Sequence, residues 1–253
     1  KNSFDFAEMI KNAKLSPYEK MDSYDATALF PSVPISNAIE HIRGLLKNDP
    51  SLPSRTALSP DEICDLISLC LSSSNFLYDG RHHTQNNSGP IGLSLMVTVS
   101  QIWMVHTMEH AIKIAQERRI TIPRLIQIYM DDIWCVIQYG RPGLRSNTAR
   151  DPAVEFNDRL NAVHPRVQFT REEEVNGSIA FLDLLLTRQD NGTISTTVYR
   201  KPSNTNITIK PQSCQHPSTT IANFKGELCR AHRICSTHSA LKKEIKFLIN
   251  LFE

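Results

Sequence analysis

Two adjacent aspartates, Asp131 and Asp132, interrupt an apolar run from Gln127 to Ile137 that is otherwise typical of a buried strand. Two like charges inside such a run cost free energy through desolvation and mutual repulsion, so a bound cation is the obvious compensation. The alternative is a turn, because "RLIQIYM" and "IWCVIQY" are both rich in β-formers and Asp-Asp between them can be ordinary turn chemistry. Both interpretations predict a hairpin tipped by Asp131-Asp132.

A cation at Asp131 would call for another carboxylate from a neighbouring strand. Asp25 is well placed, because it lies where a short predicted strand in "EKMDSYDATALF" ends, before an apolar turn and a helix. Two central strands could therefore bring Asp25 and Asp131 into one site. Divalent ions held by such carboxylates are the standard device for in-line phosphoryl transfer.

Apolar periodicity and turn residues predict the elements that position these aspartates. In chain order they are a helix in "SFDFAEMIKNAKL", the strand before Asp25, helices in "PISNAIEHIRGLLKN" and "SPDEICDLISLCLSS", an Asp-Gly hairpin in "NFLYDGRHHTQ", a long helix over 94–118, the Asp-Asp hairpin, a loop in "YGRPGLRSNTARD", a helix in "AVEFNDRLNAVH", a hairpin about Asn191-Gly192, and a helical tail from Ser218. A sheet flanked by helices on one face is the α+β pattern.

The composition is that of an ordinary globular chain, with 253 residues, 40% hydrophobic and 21% charged. Its six cysteines are scattered and no signal peptide opens the sequence, so we expect an intracellular protein of the nucleus or cytoplasm that is not secreted. The longest apolar stretch, from Pro90 to His106, is interrupted by polar residues and does not predict a membrane span.

Charge is unevenly distributed along the chain, although the net charge is only +2. From Val198 to Glu253 there are nine Lys or Arg against three acids, whereas from Asp151 to Asp190 there are eight acids against four Arg. The basic tail is a candidate surface for a polyanion such as nucleic acid, and a solvated helix face is the alternative.

Several segments, in order along nearly the whole chain, resemble the reverse transcriptases of Penelope-like retrotransposons. "YDATALFPSVP" looks like motif A, "HTQNNSGPIGLSLMVTVSQIWM" like motif B and "YMDD" like motif C. "FLDLLLTRQDNGTISTTVYRKPSNT" and "QHPSTTIANFKGELCRAHRICS" resemble the segment that follows the palm in that family. The resemblance implies an RNA-directed DNA polymerase that uses an RNA template, a DNA primer and dNTPs.

The resemblance also implies the catalytic residues. Asp25 and Asp131 would hold two Mg²⁺ ions, with Mn²⁺ as a substitute, while Asp132 adjoins them and the Ala26 carbonyl is a further ligand. Phe30 matches an aromatic residue that acts as a steric gate against ribonucleotides, and a buried core side chain is its alternative role.

Further residues are implied to contact nucleic acid. In motif B, Gln85, Gly89 and Gly92 would lie against template and nucleotide, where close backbone approach favours glycine. Five cations would contact the primer or duplex, and for the first two a solvated strand end is the alternative: Arg200, Lys201, Lys225, Lys242 and Lys243.

The family resemblance further predicts the domain organisation. We expect a palm domain over 1–210, with an antiparallel sheet and helices on one face, and a helical, basic start of a thumb over 211–253. The chain begins just before motif A, so the fingers would be largely missing, and no GIY-YIG endonuclease segment follows. The family's Met-Gly-Ser-Pro in motif B is replaced by Ile91-Gly92-Leu93-Ser94. The sequence thus predicts a polymerase core, and its alternative is a non-catalytic nucleic-acid-binding remnant of one.

Overall fold

The computed structural model describes residues 2–85, 89–139, 150–209 and 213–252. The helices in these ranges are α1 (Ser3–Ile10), α2 (Leu29–Ser32), α3 (Ile35–Lys47), α4 (Leu52–Arg55), α5 (Pro60–Ser72), α6 (Ser94–Glu117), α7 (Pro152–Val163), α8 (Pro217–Ile234) and α9 (His238–Phe252). The strands are β1 (Glu19–Ala26), β2 (Asn75–Tyr78), β3 (Arg81–Thr84), β4 (Leu125–Tyr129), β5 (Asp132–Gln138), β6 (Phe169–Glu173), β7 (Ser178–Phe181), β8 (Leu184–Arg188) and β9 (Ile194–Val198). The chain is therefore a mixture of helices and sheets, as the sequence predicts.

The chain divides into two compact units. Unit 1 consists of Lys1–Ser23, Tyr139–Arg145 and Glu172–Glu253, and unit 2 consists of Tyr24–Gln138 and Ser146–Arg171. The predicted boundary between palm and thumb falls at residue 210, which lies outside the described residues, so it stays a prediction. The predicted loop in "YGRPGLRSNTARD" also lies mostly outside them.

A four-stranded sheet with the order β4-β5-β1-β6 carries the predicted aspartates. Strands β4 and β5 are antiparallel, as predicted for the hairpin. Residues 133–137 of β5 are all buried, and because successive side chains point to opposite faces, both faces of this strand are covered. The expected placement of helices on one face of the sheet stays a prediction.

Local signals explain where the helices of unit 2 begin. The Ser59 side chain accepts the backbone N–H of Glu62, and the Glu62 carboxylate accepts the backbone N–H of Ser59. These two hydrogen bonds form a capping box at the start of α5. Pro34 precedes the first turn of α3, as its fixed φ allows. The long helix α6 presents Trp103, Met104 and other buried side chains along its length.

Unit 1 contains the sheet β7-β8-β9 and the helices α8 and α9. The sequence predicts one hairpin about Asn191-Gly192, but the structure has two, because a tight connection at Leu182 adds β7 before β8. Leu182 adopts a φ of 55°, a backbone conformation that its side chain gives no reason to expect. The connection between α8 and α9 is tied to β9, because Ser236 donates its N–H to the Thr196 carbonyl at 3.0 Å and accepts the Thr196 N–H at 2.8 Å.

An ion pair with a nearly buried carboxylate lies within unit 1. Arg188 contacts both carboxylate oxygens of Glu174 at 2.8 Å, and a Glu174 oxygen also accepts the Met21 N–H at 2.9 Å. Because the Glu174 side chain is only 7% exposed, removal of Arg188 would leave a desolvated charge without its cation.

Among the described residues, no helix is both long and apolar enough to cross a membrane.

Histidines meet where α3 and α6 pack in unit 2. The His41 and His106 rings lie 4.0 Å apart, and His106 also faces Trp103 and, at 6.0 Å, His110. Burial lowers the pKa of His106 below its ordinary value of 6.5, and the adjacent His41 and His110 lower this pKa further against the opposing attraction of Glu109. The folded state therefore favours neutral His106.

We predict that stability falls as the pH decreases below about 6.5, because the unfolded chain then binds a proton that folded His106 resists. The stabilisation is present above the unfolded pKa and is lost as the pH falls through the lower, folded pKa. His106→Gln should flatten this dependence, whereas His232→Gln, at an exposed position of α8, should leave it unchanged. Urea unfolding at pH 7.5 and at pH 5.5 gives the unfolding free energy of the parent chain and of each variant. The prediction is contradicted if this free energy changes equally between the two pH values in His106→Gln and in the parent chain.

Candidate active site

The hairpin of β4 and β5 places Asp131 in its turn. The two strands pair from Leu125 with Val136 to Tyr129 with Asp132, which leaves Met130 and Asp131 as the two turn residues. Met130 adopts a φ of 54°, in the left-handed region that tight hairpins require. The prediction that both aspartates form the tip is therefore wrong in detail, because Asp132 is the first residue of β5. Asp131 and Asp132 are both half-buried.

The end of β1 is bonded directly to this turn. The Ala26 N–H donates to the Asp131 carbonyl at 3.0 Å, and the next N–H, of Thr27, donates to the Gln168 carbonyl at 2.8 Å. Thr170 Oγ1 lies 3.5 Å from the Asp25 carbonyl. The structure thus brings Asp25 and Asp131 to neighbouring strand ends, with the Asp25 side chain exposed and Ala26 buried between the strands.

The chemistry of these groups suits a hard cation. Carboxylates and a backbone carbonyl are the oxygen ligands that Mg²⁺ prefers. The described residues contain no group of three or more His, Cys, Asp or Glu placed to hold a metal ion. Mg²⁺ is commonly bound through one or two carboxylates plus phosphate oxygens, so Asp25 and Asp131 supply the kind of ligand that this ion takes, and their binding of it stays a prediction. The sequence-based assignment of two ions stays a prediction.

A glycine joins the segments that resemble motifs A and B. Phe30 lies in the short helix α2, is partly buried, and accepts the Gly89 N–H at its carbonyl at 3.2 Å. A Cβ on Gly89 would lie 2.8 Å from that oxygen and 2.2 Å from Met96 Sδ. Only glycine therefore allows this approach without displacement of its neighbours.

The other residues predicted in motif B lie close to Gly89 in sequence and differ in environment. Gln85 is partly buried, and its side-chain amide donates to the Gly89 carbonyl at 3.3 Å. Gly92 is exposed, with nothing within 4 Å of a built Cβ, and its φ of 98° is what favours glycine there. From the following helix α6, the Gln101 amide contacts Met130 Sδ at 3.1 Å and so reaches the turn that carries Asp131.

No sequence pattern indicates the residues that support this arrangement. Gln168 and Thr170 hold the end of β1, and Arg166 donates to the Pro31 carbonyl at 3.0 Å and so fixes α2. These residues lie in and before β6, a strand whose "FTREE" sequence has no apolar alternation. Their partners are more than 130 positions away, and no short-range pattern indicates them.

The predicted primer-binding cations lie in unit 1 and differ in how they are paired. The guanidinium of Arg200 contacts both carboxylate oxygens of Glu244, one at 3.0 Å, and lies 4.2 Å from the centre of the Phe247 ring. The other four are exposed lysines that pair with no described residue: Lys201 after β9, Lys225 on α8, and Lys242 and Lys243 on α9. Their contact with nucleic acid stays a prediction.

A cavity of about 560 Å³ in unit 1 has charged walls but little unpaired charge. Arg230 in its wall pairs with Asp183 at 3.0 Å and with Glu227 at 3.4 Å, while Arg200 pairs with Glu244. Because both guanidinium groups are already neutralised, the cation in its described wall that is open to a phosphate is the exposed Lys201.

Comparisons with known proteins show solved structures of similar fold but no relative by sequence. No protein-family model matches the chain, and no curated protein matches it. Telomerase from Candida albicans in complex with a TWJ fragment of telomeric RNA matches with a TM-score of 0.63 at 11% identity, over 99% of this chain and 42% of that one. The apo telomerase from Candida tropicalis matches with a TM-score of 0.52 at 12% identity, over 99% and 44%.

A second kind of polymerase has the same arrangement. The BmCPV RNA-dependent RNA polymerase at its elongation state matches with a TM-score of 0.57 at 14% identity, over 99% of this chain and 22% of that one. The chain therefore has the fold of a nucleic-acid polymerase. It spans about two-fifths of the telomerase chains and about a fifth of the viral polymerase.

We predict that Gly89→Ala destabilises unit 2 by about 2 kcal/mol, because the added methyl overlaps a backbone oxygen and the buried Met96. Gly44→Ala is the matched control: Gly44 lies inside α3 with nothing within 4 Å, so alanine should be neutral or stabilising by up to about 1 kcal/mol. Urea unfolding measures both free energies. A Gly89→Ala chain as stable as its parent would contradict the close approach of Gly89 to Phe30.

Proposed function

We propose that this chain is the catalytic core of an RNA-directed DNA polymerase from a retroelement of the Penelope-like kind. The observation that carries the proposal is the hydrogen bond from the Ala26 N–H to the Asp131 carbonyl, which keeps Asp25 and Asp131 at neighbouring strand ends. The polymerase fold supports it, and so do the RNA in the Candida albicans telomerase structure and the elongation state of the viral enzyme.

The proposed reaction is nucleotidyl transfer. The primer 3′-hydroxyl attacks the α-phosphorus of a deoxynucleoside triphosphate, the new phosphodiester forms and pyrophosphate leaves. Mg²⁺ would neutralise charge on the reacting oxygens when bound. Asp25 and Asp131 would hold it, with the Ala26 carbonyl and Asp132 beside them. The α2 segment around Phe30 would face the incoming sugar, and the exposed lysines of α8 and α9 would contact the duplex backbone.

A second candidate is a non-catalytic nucleic-acid-binding remnant of such a polymerase. The residues of motif B favour it, because Ile91-Gly92-Leu93-Ser94 keeps only the glycine of the family's Met-Gly-Ser-Pro and exposes 78% of Ile91. Primer extension on an RNA template separates the two candidates. Extension by this chain, alone or supplemented with a fingers segment, supports the polymerase, whereas binding without extension in both forms supports the remnant.

We predict that Asp131→Asn lowers primer extension about a thousandfold or more, because a metal ligand contributes several kcal/mol to the transition state. The variant should keep its fold and lose Mn²⁺ binding, which can be measured without turnover by electron paramagnetic resonance. Asp65→Asn, at an exposed position of α5, is the matched control and should change neither quantity. An Asp131→Asn chain that extends primers normally would exclude the metal assignment.

We predict that Phe30→Val raises the ratio of kcat/KM for ribonucleotides to that for deoxynucleotides, because a smaller side chain leaves room for the 2′-hydroxyl. Arg166 and Gly89 both fix the backbone of this segment, so the change should act through side-chain volume. Leu29→Val is the control, because Leu29 is the adjacent buried residue of α2, 3% exposed. If both variants lose stability and neither changes the ratio, Phe30 is a core residue and the gate lies elsewhere.

A further inference from the structure

The hairpin formed by β2 and β3 in unit 2 is exposed along its whole length. All eight of its strand residues are exposed, including 51% of Phe76, 64% of Leu77 and 70% of Tyr78. The turn is the predicted Asp79-Gly80, with φ values of 50° and 70° that suit a two-residue hairpin. Three consecutive large side chains exposed on one hairpin make it a candidate interaction site, because their exposure to water is costly.

The pairing register sorts these side chains onto two faces. Phe76 pairs with His83 and Tyr78 pairs with Arg81, and because side chains alternate, these four residues share one face. We call this set of four the aromatic face. The rings of Phe76 and His83 stack at 5.4 Å with an angle of 20° between their planes, and the Tyr78 ring meets the His83 ring edge-on at 6.2 Å.

Leu77 and His82 lie on the opposite face of the hairpin. The aromatic face therefore presents two aromatic rings, one imidazole and one guanidinium, and Leu77 presents an aliphatic side chain of similar exposure on the other side. This arrangement gives the chain an internal control: two residues next to each other in β2, Leu77 and Tyr78, that differ in face and in ring chemistry.

The charge of the aromatic face selects between ligands. Arg81 is its formally charged residue, no described residue pairs with it, and the face has no acid, since Asp79 lies in the turn. Unpaired nucleobases stack on aromatic, imidazole and guanidinium planes, while the phosphates between them are attracted to a cation. A protein partner would also pack against the rings. Arg81, which pairs with no described residue, favours instead a polyanion that carries flat bases.

We propose that the aromatic face of this hairpin binds single-stranded RNA through stacking of unpaired bases on Phe76 and Tyr78, with Arg81 at a phosphate. Stacking of this kind tolerates any base sequence, because every base has a π-face. The binding requires no nucleotide addition. It rests on the proposed function only in one respect, that the bound strand would be the template.

Tryptophan fluorescence tests the stacking directly. The two native tryptophans are buried, Trp103 at 4% exposure and Trp134 at 0%, so a new surface tryptophan reports on its own position. Tyr78→Trp should be quenched when a single-stranded RNA oligonucleotide is added. Leu77→Trp, one residue away on the opposite face, should be quenched much less.

Affinity provides the second measurement, with a labelled oligonucleotide in fluorescence anisotropy. Tyr78→Ala and Phe76→Ala should each weaken binding about tenfold, within the range found for loss of one stacking ring, whereas Tyr78→Phe should bind normally and Leu77→Ala should change affinity less than about twofold. An abasic oligonucleotide of equal charge should not distinguish Tyr78→Ala from the parent chain. Circular dichroism confirms that each variant is folded.

Two results would overturn the proposal: equal quenching of Tyr78→Trp and Leu77→Trp, or a Tyr78→Ala chain that binds the RNA as well as its parent. If Tyr78→Ala instead reduces self-association in light scattering without an effect on RNA affinity, the face binds a second copy of the chain. Asp131→Asn, which should not extend primers, should still allow the quenching of Tyr78→Trp. If Tyr78→Trp with Asp131 intact is quenched but extends no primer, alone or with a fingers segment, and the parent chain likewise extends none, the proposed function is contradicted and this inference stands.

Discussion

The hydrogen bond between the end of β1 and the β4–β5 turn is the interaction on which the candidate site depends. It places Asp25 and Asp131 at neighbouring strand ends, where two like charges would repel each other. One such bond contributes only about 1 kcal/mol net. The buried residues 133–137 of β5 contribute more, at about 1.5–3 kcal/mol for each large apolar side chain. The apolar strand therefore holds the charges in place, and the hydrogen bond sets their register.

A single main-chain hydrogen bond also joins distant segments at Gly89. Its N–H bond to the Phe30 carbonyl connects two segments that are 59 positions apart, and it exists because the glycine has no Cβ. Arg166 approaches the next carbonyl of α2, at Pro31, from a third segment. The position of Phe30 is thus determined by main-chain groups on two sides. A side chain supported in this way can be changed in size without loss of the backbone that carries it, which is what a size-selective residue requires.

The sequence predicts the parts of the fold that have strong local signals. The hairpins at Asp79-Gly80 and in "QIYMDDIW", the capped helix α5 and the long helix α6 are all found near their expected bounds. The sequence does not predict strand β6, because "FTREE" has one apolar residue, the buried Phe169, and so no apolar alternation. It does not separate β7 from β8, because Leu182 is not a typical turn residue. At the site, strand ends indicate Asp25 and Asp131, but Gln168 and Thr170 act through a backbone carbonyl and a hydroxyl that no pattern distinguishes.

The cations of the basic tail differ in exposure and pairing, which the sequence does not indicate. The basic tail counts Arg200 and Lys243 equally, yet Arg200 is 19% exposed and bonded to Glu244, which is 11% exposed. A phosphate that captured Arg200 would leave this carboxylate buried and unpaired, at a cost of roughly 3–5 kcal/mol. Lys243 on the open face of α9 loses only water. The predicted attraction of the tail for a polyanion would therefore come from exposed cations such as Lys243, while Arg200 stays bonded to Glu244 of α9.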